Sequence, residues 1–392
     1  METNVPKSKN SKFNWIKVFL KWLGITLCGI LIAWLVTTKL NSVRAGDTSS
    51  KKIAVIMSGT DKTFTIPKEF EDGFPKIASF PLKSQTIFIE PKEDLYSIEQ
   101  AKIVADEIVN DDSYVLIIGN SNSELTEVTL NSILASKNRP SFILPIATAD
   151  NILAKANSEN YKSILRMVPD NNNQAEMIKS FIFSKMGENA NVGLLIDEEN
   201  ETYSNNLSKN ISAKILDYNG HIVLSKKYGK SCRFIDEYET LKKNKLLPDI
   251  VVYVGVSSNG LLLIEEFKAL HINIPIIFTD GCTVERLMIK SKELKNKAYF
   301  LSSVSKSEGD KIEPTYKPIG HDAFDLAQKI LSSIDEPITR SSVRNYIEKN
   351  KLKIIMNGDA GNYKFNEEGN NQEMKFKIYT YQNGILTEVK GL

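Results

Sequence analysis

With 392 residues, 42% of them hydrophobic and 25% charged, the chain can bury a large core and has room for two α/β lobes and an anchor. Its 50 Lys and Arg stand against 48 Asp and Glu, which argues against a nucleic-acid partner, because phosphate binding needs a basic face. Neither its three cysteines (Cys28, Cys232, Cys282) nor its three histidines (His221, His271, His321) fall in a metal-binding spacing, so no metal site is expected.

Residues 1–14 are a polar, basic tail. Residues 15–40 form the one membrane signal: Trp22 to Thr38 holds no charge, and with the flank from Trp15 to Leu20 it can span a hydrocarbon core. Trp15, Trp22 and Trp34 stand where interfacial aromatics sit. A cleaved signal peptide is the rival reading, since Val43-Arg-Ala45 resembles a small-x-small cleavage site. The length of the run favours an uncleaved anchor. Either way, the chain beyond the polar linker at 41–51 is expected in the periplasm or extracellular space. Cys28 lies in the apolar run, and whether Cys232 and Cys282 pair is left open by the sequence.

Beyond the linker, strands and helices alternate. Lys52 to Met57 reads as a strand. Ser97-Ile-Glu-Gln100 is a capping box opening a helix with Ile98, Ala101, Val104, Ala105 and Ile108 on one face. Tyr114 to Ile118 and Ser141 to Leu144 are apolar runs of the kind buried on both faces of a parallel sheet. A helix from about Gln174 to Lys185 then restarts the pattern, with strands Val192 to Ile196, Ile222 to Ser225, Ile250 to Val254 and Ile274 to Phe278 separated by helices. Helices around 323–331 and 343–350 come next, and Asn383-Gly384 marks a terminal hairpin. Two successive βα runs imply an α/β protein with two Rossmann-like lobes.

In open α/β sheets, ligands bind beyond the carboxyl ends of the strands. Those positions hold Ser58-Gly59, Asn120 to Ser123, Pro145 to Thr148, Asp197 to Tyr203, Gly255 to Ser258 and Thr279-Asp-Gly281. The set is rich in hydroxyls and poor in nucleophile–base pairs, and the histidines read as surface or helix-end residues. Hydroxyls just before helices suit an anionic group; taken singly, each reads first as a helix cap, and it is the whole set converging on one crevice that favours a ligand. No GxGxxG or Walker pattern is present, so no cofactor is expected.

From about residue 52 to 390 the chain resembles the type I periplasmic binding proteins, in particular the branched-chain amino-acid-binding group of ABC transport systems. Tyr114 to Ser123, Phe142 to Thr148, Leu165-Arg-Met-Val-Pro-Asp170, Val192 to Asp197 with Tyr203, and Phe278-Thr-Asp-Gly281 carry the resemblance. It implies two parallel-sheet lobes joined by a hinge: lobe one at 52–168 and 303–350, lobe two at 169–302 and 351–392, with hinge strands near Pro169 and Ser302 to Ser305. It also implies that Ser123, Ala147 and Thr148 hold a ligand carboxylate, that Tyr203 closes from lobe two, and that Asp280 takes an α-ammonium. Arg166 reads as a crossover residue. Ser204 stands where the family has Gly, and Asp280 where Glu is more common. The resemblance implies a small-molecule ligand, with an ABC permease or a membrane signalling protein as partner. An interaction module that keeps the fold without the ligand is the second reading. An exported hydrolase ranks last, because no nucleophile, base and orienter can be assembled.

Overall fold

A computed structural model describes residues 50–59, 65–229, 233–294, 297–304, 306–308, 311–313, 315–335 and 337–391. The chain divides into two compact units, Met1–Ser50 and Lys51–Leu392, and the architecture below is that of the second. The expected membrane span at 15–40, Cys28 and Cys232 lie outside the described residues. Among the described residues no helix is long and apolar enough to cross a membrane. Among the described residues Cys282 is a free, buried thiol.

Lobe one opens with β1 (Lys51–Met57), α1 (Thr65–Gly73), β2 (Ser79–Leu82) and β3 (Gln85–Glu93). It continues through α2 (Ile98–Asn110), β4 (Tyr114–Ile118), α3 (Ser123–Ala135), β5 (Ser141–Leu144), α4 (Asp150–Ser158) and β6 (Ile164–Arg166). The sheet order is β2-β3-β1-β4-β5-β6, parallel apart from β2. Two-residue alternation explains the continuous apolar strands. Ile53 and Val55 enter the core on one face of the sheet, while Ala54 and Ile56 enter that on the other. Ser97 caps α2 by accepting the Gln100 N–H, and Ala101, Val104, Ala105 and Ile108 are buried. Ile98, expected on that face, is exposed instead.

Lobe two contains α5 (Asn171–Met186), β7 (Asn191–Asp197), α6 (Glu201–Asp217), β8 (His221–Tyr228), α7 (Phe234–Lys243), β9 (Ile250–Val254), α8 (Ser257–Ala269), β10 (Ile276–Phe278), α9 (Glu285–Ser291) and β11 (Ala298–Ser302). Its parallel core, β8-β7-β9-β10-β11, again feeds two clusters: Val251 and Tyr253 face one, Val252 and Val254 the other. Two short strands, β12 (Lys306–Glu308) and β13 (Lys311–Glu313), precede α10 (Lys317–Ser332) and α11 (Arg340–Asn350). Ile319, Ala323, Leu326, Val343 and Ile347 put both helices in the lobe-one core.

The sequence assigns 351–392 to lobe two, and here the packing differs. Across β14 (Ile355–Asn357) and β15 (Asn362–Lys364), the side chains of Ile354, Met356, Tyr363, Phe365 and Met374 all join the lobe-one core. The physical reason is Asp322 on α10, whose buried carboxylate accepts the Asp359 N–H at 2.7 Å, the Ala360 N–H at 2.8 Å and the Tyr363 hydroxyl at 2.6 Å. Only at Phe376 does the chain rejoin the lobe-two core, where the hairpin β16 (Lys377–Gln382) and β17 (Ile385–Glu388) extends the sheet antiparallel to β11. Three segments therefore cross between lobes: one after Met167, one after Ser302 and one between Met374 and Phe376.

Candidate functional site

The strand-end loops of lobe one form one wall of a cleft. Asn122, not Ser123, caps α3, its side chain accepting the Leu125 N–H at 2.8 Å. Ser123 is the first helical residue, and its hydroxyl accepts the Ala149 N–H at 3.2 Å, fastening the loop after β4 to the loop after β5. The Thr148 hydroxyl makes no hydrogen bond among the described residues, while its carbonyl accepts from Asn171 N at 2.8 Å. Below them, fully buried Asp94 accepts from Asn120 Nδ2 (2.9 Å) and Tyr96 N (3.1 Å), and burial raises its pKa. The Ser58 and Ser121 hydroxyls are bonded to each other beside it.

Lobe two supplies the facing wall. Asp197, at the end of β7, is a fastening: it accepts from the Tyr253 hydroxyl (2.6 Å), Asn259 Nδ2 (2.7 Å), Val256 N (2.9 Å) and Glu199 N (3.0 Å). Those bonds hold together the loops from which Asn200, Val256 and Ser257 reach the cleft. Ser204 replaces a glycine of the resembled pattern without strain, its hydroxyl donating to the Asp197 carbonyl at 2.7 Å. Asp280 follows β10 and is buried. Its Oδ1 accepts from the Tyr203 hydroxyl at 2.6 Å, and Gln174 holds it from below, Oε1 accepting from Asp280 N at 3.3 Å. Burial pushes the Asp280 carboxyl above its ordinary range, against those hydrogen bonds. Gly281 lets the chain pass close by, since a Cβ there would meet the Gly255 carbonyl at 2.6 Å.

The two walls enclose a cavity of about 50 Å³, a few water molecules in size. Ser121, Asn122, Ser123, Ile146 and Thr148 line it from lobe one, and Asn200, Tyr203, Val256, Ser257, Asp280 and Gly281 from lobe two. Tyr96 and Tyr316 complete it, the Tyr316 hydroxyl donating to the Asp280 carbonyl at 3.4 Å. The lobes are closed on each other. Glu124 N donates to Asn200 Oδ1 (3.2 Å), Thr202 Oγ1 to Glu127 Oε2 (3.0 Å) and Asp150 N to Asn206 Oδ1 (3.2 Å).

Of the five residues singled out from sequence, Ser123, Thr148, Tyr203 and Asp280 meet in this cavity. Ala147 does not line it, because the side chain turns into the lobe-one core with Ala149 and Ile152. Arg166 is fully buried outside the cavity. It donates to the Ala149 carbonyl and to Asn370 Oδ1 (3.2 Å), and desolvation lowers its pKa to about 10. Nothing in the sequence singled out Tyr96 or Tyr316, and Gln174 stood out only as the start of a helix. Tyr96 stands just before the capping box in the left-handed region (φ 54°), where no glycine or asparagine signals the turn. Tyr316 precedes Pro318, and that proline at a helix start was the signal available.

No protein-family model and no curated protein sequence matches the chain. Solved structures do. The chain is similar to a leucine-binding protein of Thermotoga maritima with a TM-score of 0.69 and 17% identity, covering 86% of this chain and 97% of that one. A branched-chain amino-acid transporter substrate-binding protein of Streptococcus pneumoniae, in complex with isoleucine, gives 0.67 and 16%, covering 87% and 100%. A solute-binding protein of an ABC transporter from Rhodopseudomonas palustris, in complex with 3,4-dihydroxybenzoic acid, gives 0.70 and 15%, covering 87% and 96%. The fold is therefore that of the type I periplasmic binding proteins, with two parallel-sheet lobes.

Proposed function

We propose that the chain is an extracytoplasmic solute-binding protein whose lobes close on a small polar ligand such as an amino acid or amide, a zwitterion fitting best, for ABC-type uptake or sensing. The observation that carries this reading is the charge of the cavity. Asp280 is its one carboxylate, and no Lys, Arg or His lines it among the described residues. A buried carboxylate with hydroxyl and amide donors but no cation is completed by a ligand ammonium. The opposite wall, Ser123 and the unbonded Thr148 hydroxyl beside the start of α3, suits the ligand carboxylate. Solved neighbours hold either amino acids or aromatic acids. Asp280 favours the first class, since an aromatic acid without an ammonium leaves that carboxylate unpaired. Binding rather than catalysis fits a cavity in which, among the described residues, no histidine, lysine or cysteine stands beside the hydroxyls.

Titration of the full-length protein with a panel of amino acids, amides, benzoate and 3,4-dihydroxybenzoate tests the reading. A zwitterion is expected to raise the melting midpoint, because it binds only the folded, closed form. A response to the aromatic acids alone would contradict it. Silence toward every compound would favour the second reading, an interaction module that keeps the fold without the ligand. The small cavity and the side-chain ties already spanning the lobes favour that alternative.

The apolar run at 15–40 supports a single-pass anchor with the lobes outside the cytoplasm, where an ABC permease or a membrane signalling protein is the proposed partner. The full-length protein is then expected to stay in the membrane fraction through carbonate washing. Recovery of a soluble mature form beginning near Gly46 would replace the anchor with a signal peptide.

A further inference from the structure

We propose that lobe one carries a divalent transition-metal site, separate from the solute cavity, built from the His321 imidazole and the Asp322 and Asp359 carboxylates, with Asp325 beside them. His321 and Asp325 are one turn apart on α10 and share a face. Asp359 arrives from the turn between β14 and β15, and its place is fixed by the bonds its own N–H and that of Ala360 make to the buried Asp322 carboxylate. The close approach requires Gly358, since a Cβ there would lie 2.4 Å from Asp322 Oδ2. A carboxylate offers about four acceptor positions. The two N–H groups and the Tyr363 hydroxyl occupy three of those on Asp322 and leave room for an ion.

Donor atoms of His321, Asp322 and Asp359 all lie within 4.8 Å of one another. Ligands about 2.0–2.2 Å from a tetrahedral zinc stand roughly 3.3–3.6 Å apart, so a small rotation of the exposed His321 and Asp359 side chains brings all three onto one ion. His321 Nδ1 is 3.4 Å from Asp325 Oδ2 and 3.5 Å from Asp359 Oδ2, both beyond the usual N–H···O range of about 2.7–3.2 Å. No close hydrogen bond to these carboxylates therefore has to be broken for the imidazole to turn. Charge points the same way. Three carboxylates gather around one imidazole, and among the described residues none of them has a Lys or Arg within ion-pair distance. The imidazole selects a zinc-like ion over calcium, which takes oxygen ligands.

Isothermal titration of the full-length protein with ZnCl₂, and separately with CaCl₂, decides the matter. One zinc per chain is expected, with His321→Ala and Asp359→Asn each weakening it at least tenfold. His221→Ala with His271→Ala should leave it unchanged, as should Asp280→Asn, which touches only the solute cavity. His321 and Asp359 are exposed (side chains 49% and 72%), so metal-free melting midpoints of the variants should match the parent. The site is refuted if zinc fails to bind, if His321→Ala binds it undiminished, or if calcium binds as tightly; a plain His–Asp ion pair gives one of those results.

Discussion

Asp280→Asn is expected to weaken binding of a zwitterionic solute by roughly thirtyfold or more, while the protein melts close to its usual temperature. The substitution keeps the shape, and the Tyr203 hydroxyl can still donate to the remaining oxygen. What is lost is the only negative charge lining the cavity among the described residues. A ligand ammonium left buried without its partner costs about 2–5 kcal/mol, and 1.4 kcal/mol is a factor of ten. Thr148→Ala removes one neutral hydroxyl and should cost about 1–3 kcal/mol of affinity. Ser123→Ala also strips the Ala149 N–H of its acceptor, so it should lower stability as well as affinity.

The same carboxyl sets a pH dependence with a definite sign. Burial raises its pKa in the folded, ligand-free protein. The stability it contributes is therefore full below the unfolded aspartate value and lost as pH rises through the folded one. Ligand affinity runs the other way, increasing as Asp280 ionises over that window. In Asp280→Asn both dependences should flatten. Calorimetric titration across that pH range checks this; an affinity that stays pH-dependent in the variant would assign the ammonium to another group.

Burial on both faces made the central strands legible. Tyr114 to Ile118 and Ile250 to Val254 show no polar position because helices cover each side of the sheet. β3 shows the opposite case. Ile87 and Ile89 are buried, but the alternate face carries exposed Phe88 and the ion-paired Glu90 and Lys92, so no continuous apolar run marks the strand. Asp280 and Tyr203 could be found because strand ends are where such sheets bind. Tyr96 and Tyr316 could not, since a loop aromatic has no periodicity to betray which way it faces. The lobe boundary at 351 was out of reach for a related reason: what holds 351–374 to lobe one is Asp322, tens of residues earlier. The proposed metal ligands are likewise split between a helix and a distant turn, invisible to a search for local spacing.

Arg340→Ala should lower stability by about 3–5 kcal/mol, because several buried carbonyls lose their donors at about 1–3 kcal/mol each. Arg340 opens α11, where Thr339 and Ser342 form a capping box, and its guanidinium is buried. Nε donates to the Tyr114 carbonyl at 2.7 Å. Nη1 donates to the carbonyls of Val109 (2.9 Å) and Asn138 (2.7 Å), and Nη2 to those of Ile108 (2.6 Å) and Asp111 (2.7 Å). One side chain thus ties the end of α2, the start of β4 and the approach to β5 to α11. Without it, buried carbonyls lose their donors and each incurs a desolvation cost. Lysine cannot substitute, because a single ammonium cannot reach the span of the planar fork, so Arg340→Lys should fall nearly as far. Asp112 lies 3.1 Å from Nη1 but is largely exposed, and Asp112→Asn should change little. Thermal melts of the three variants are the measurement, with a drop on the order of 10 °C expected for Arg340→Ala. If Asp112→Asn instead proved as harmful as Arg340→Ala, the ion pair and not the carbonyl clamp would be what holds this corner of the lobe together.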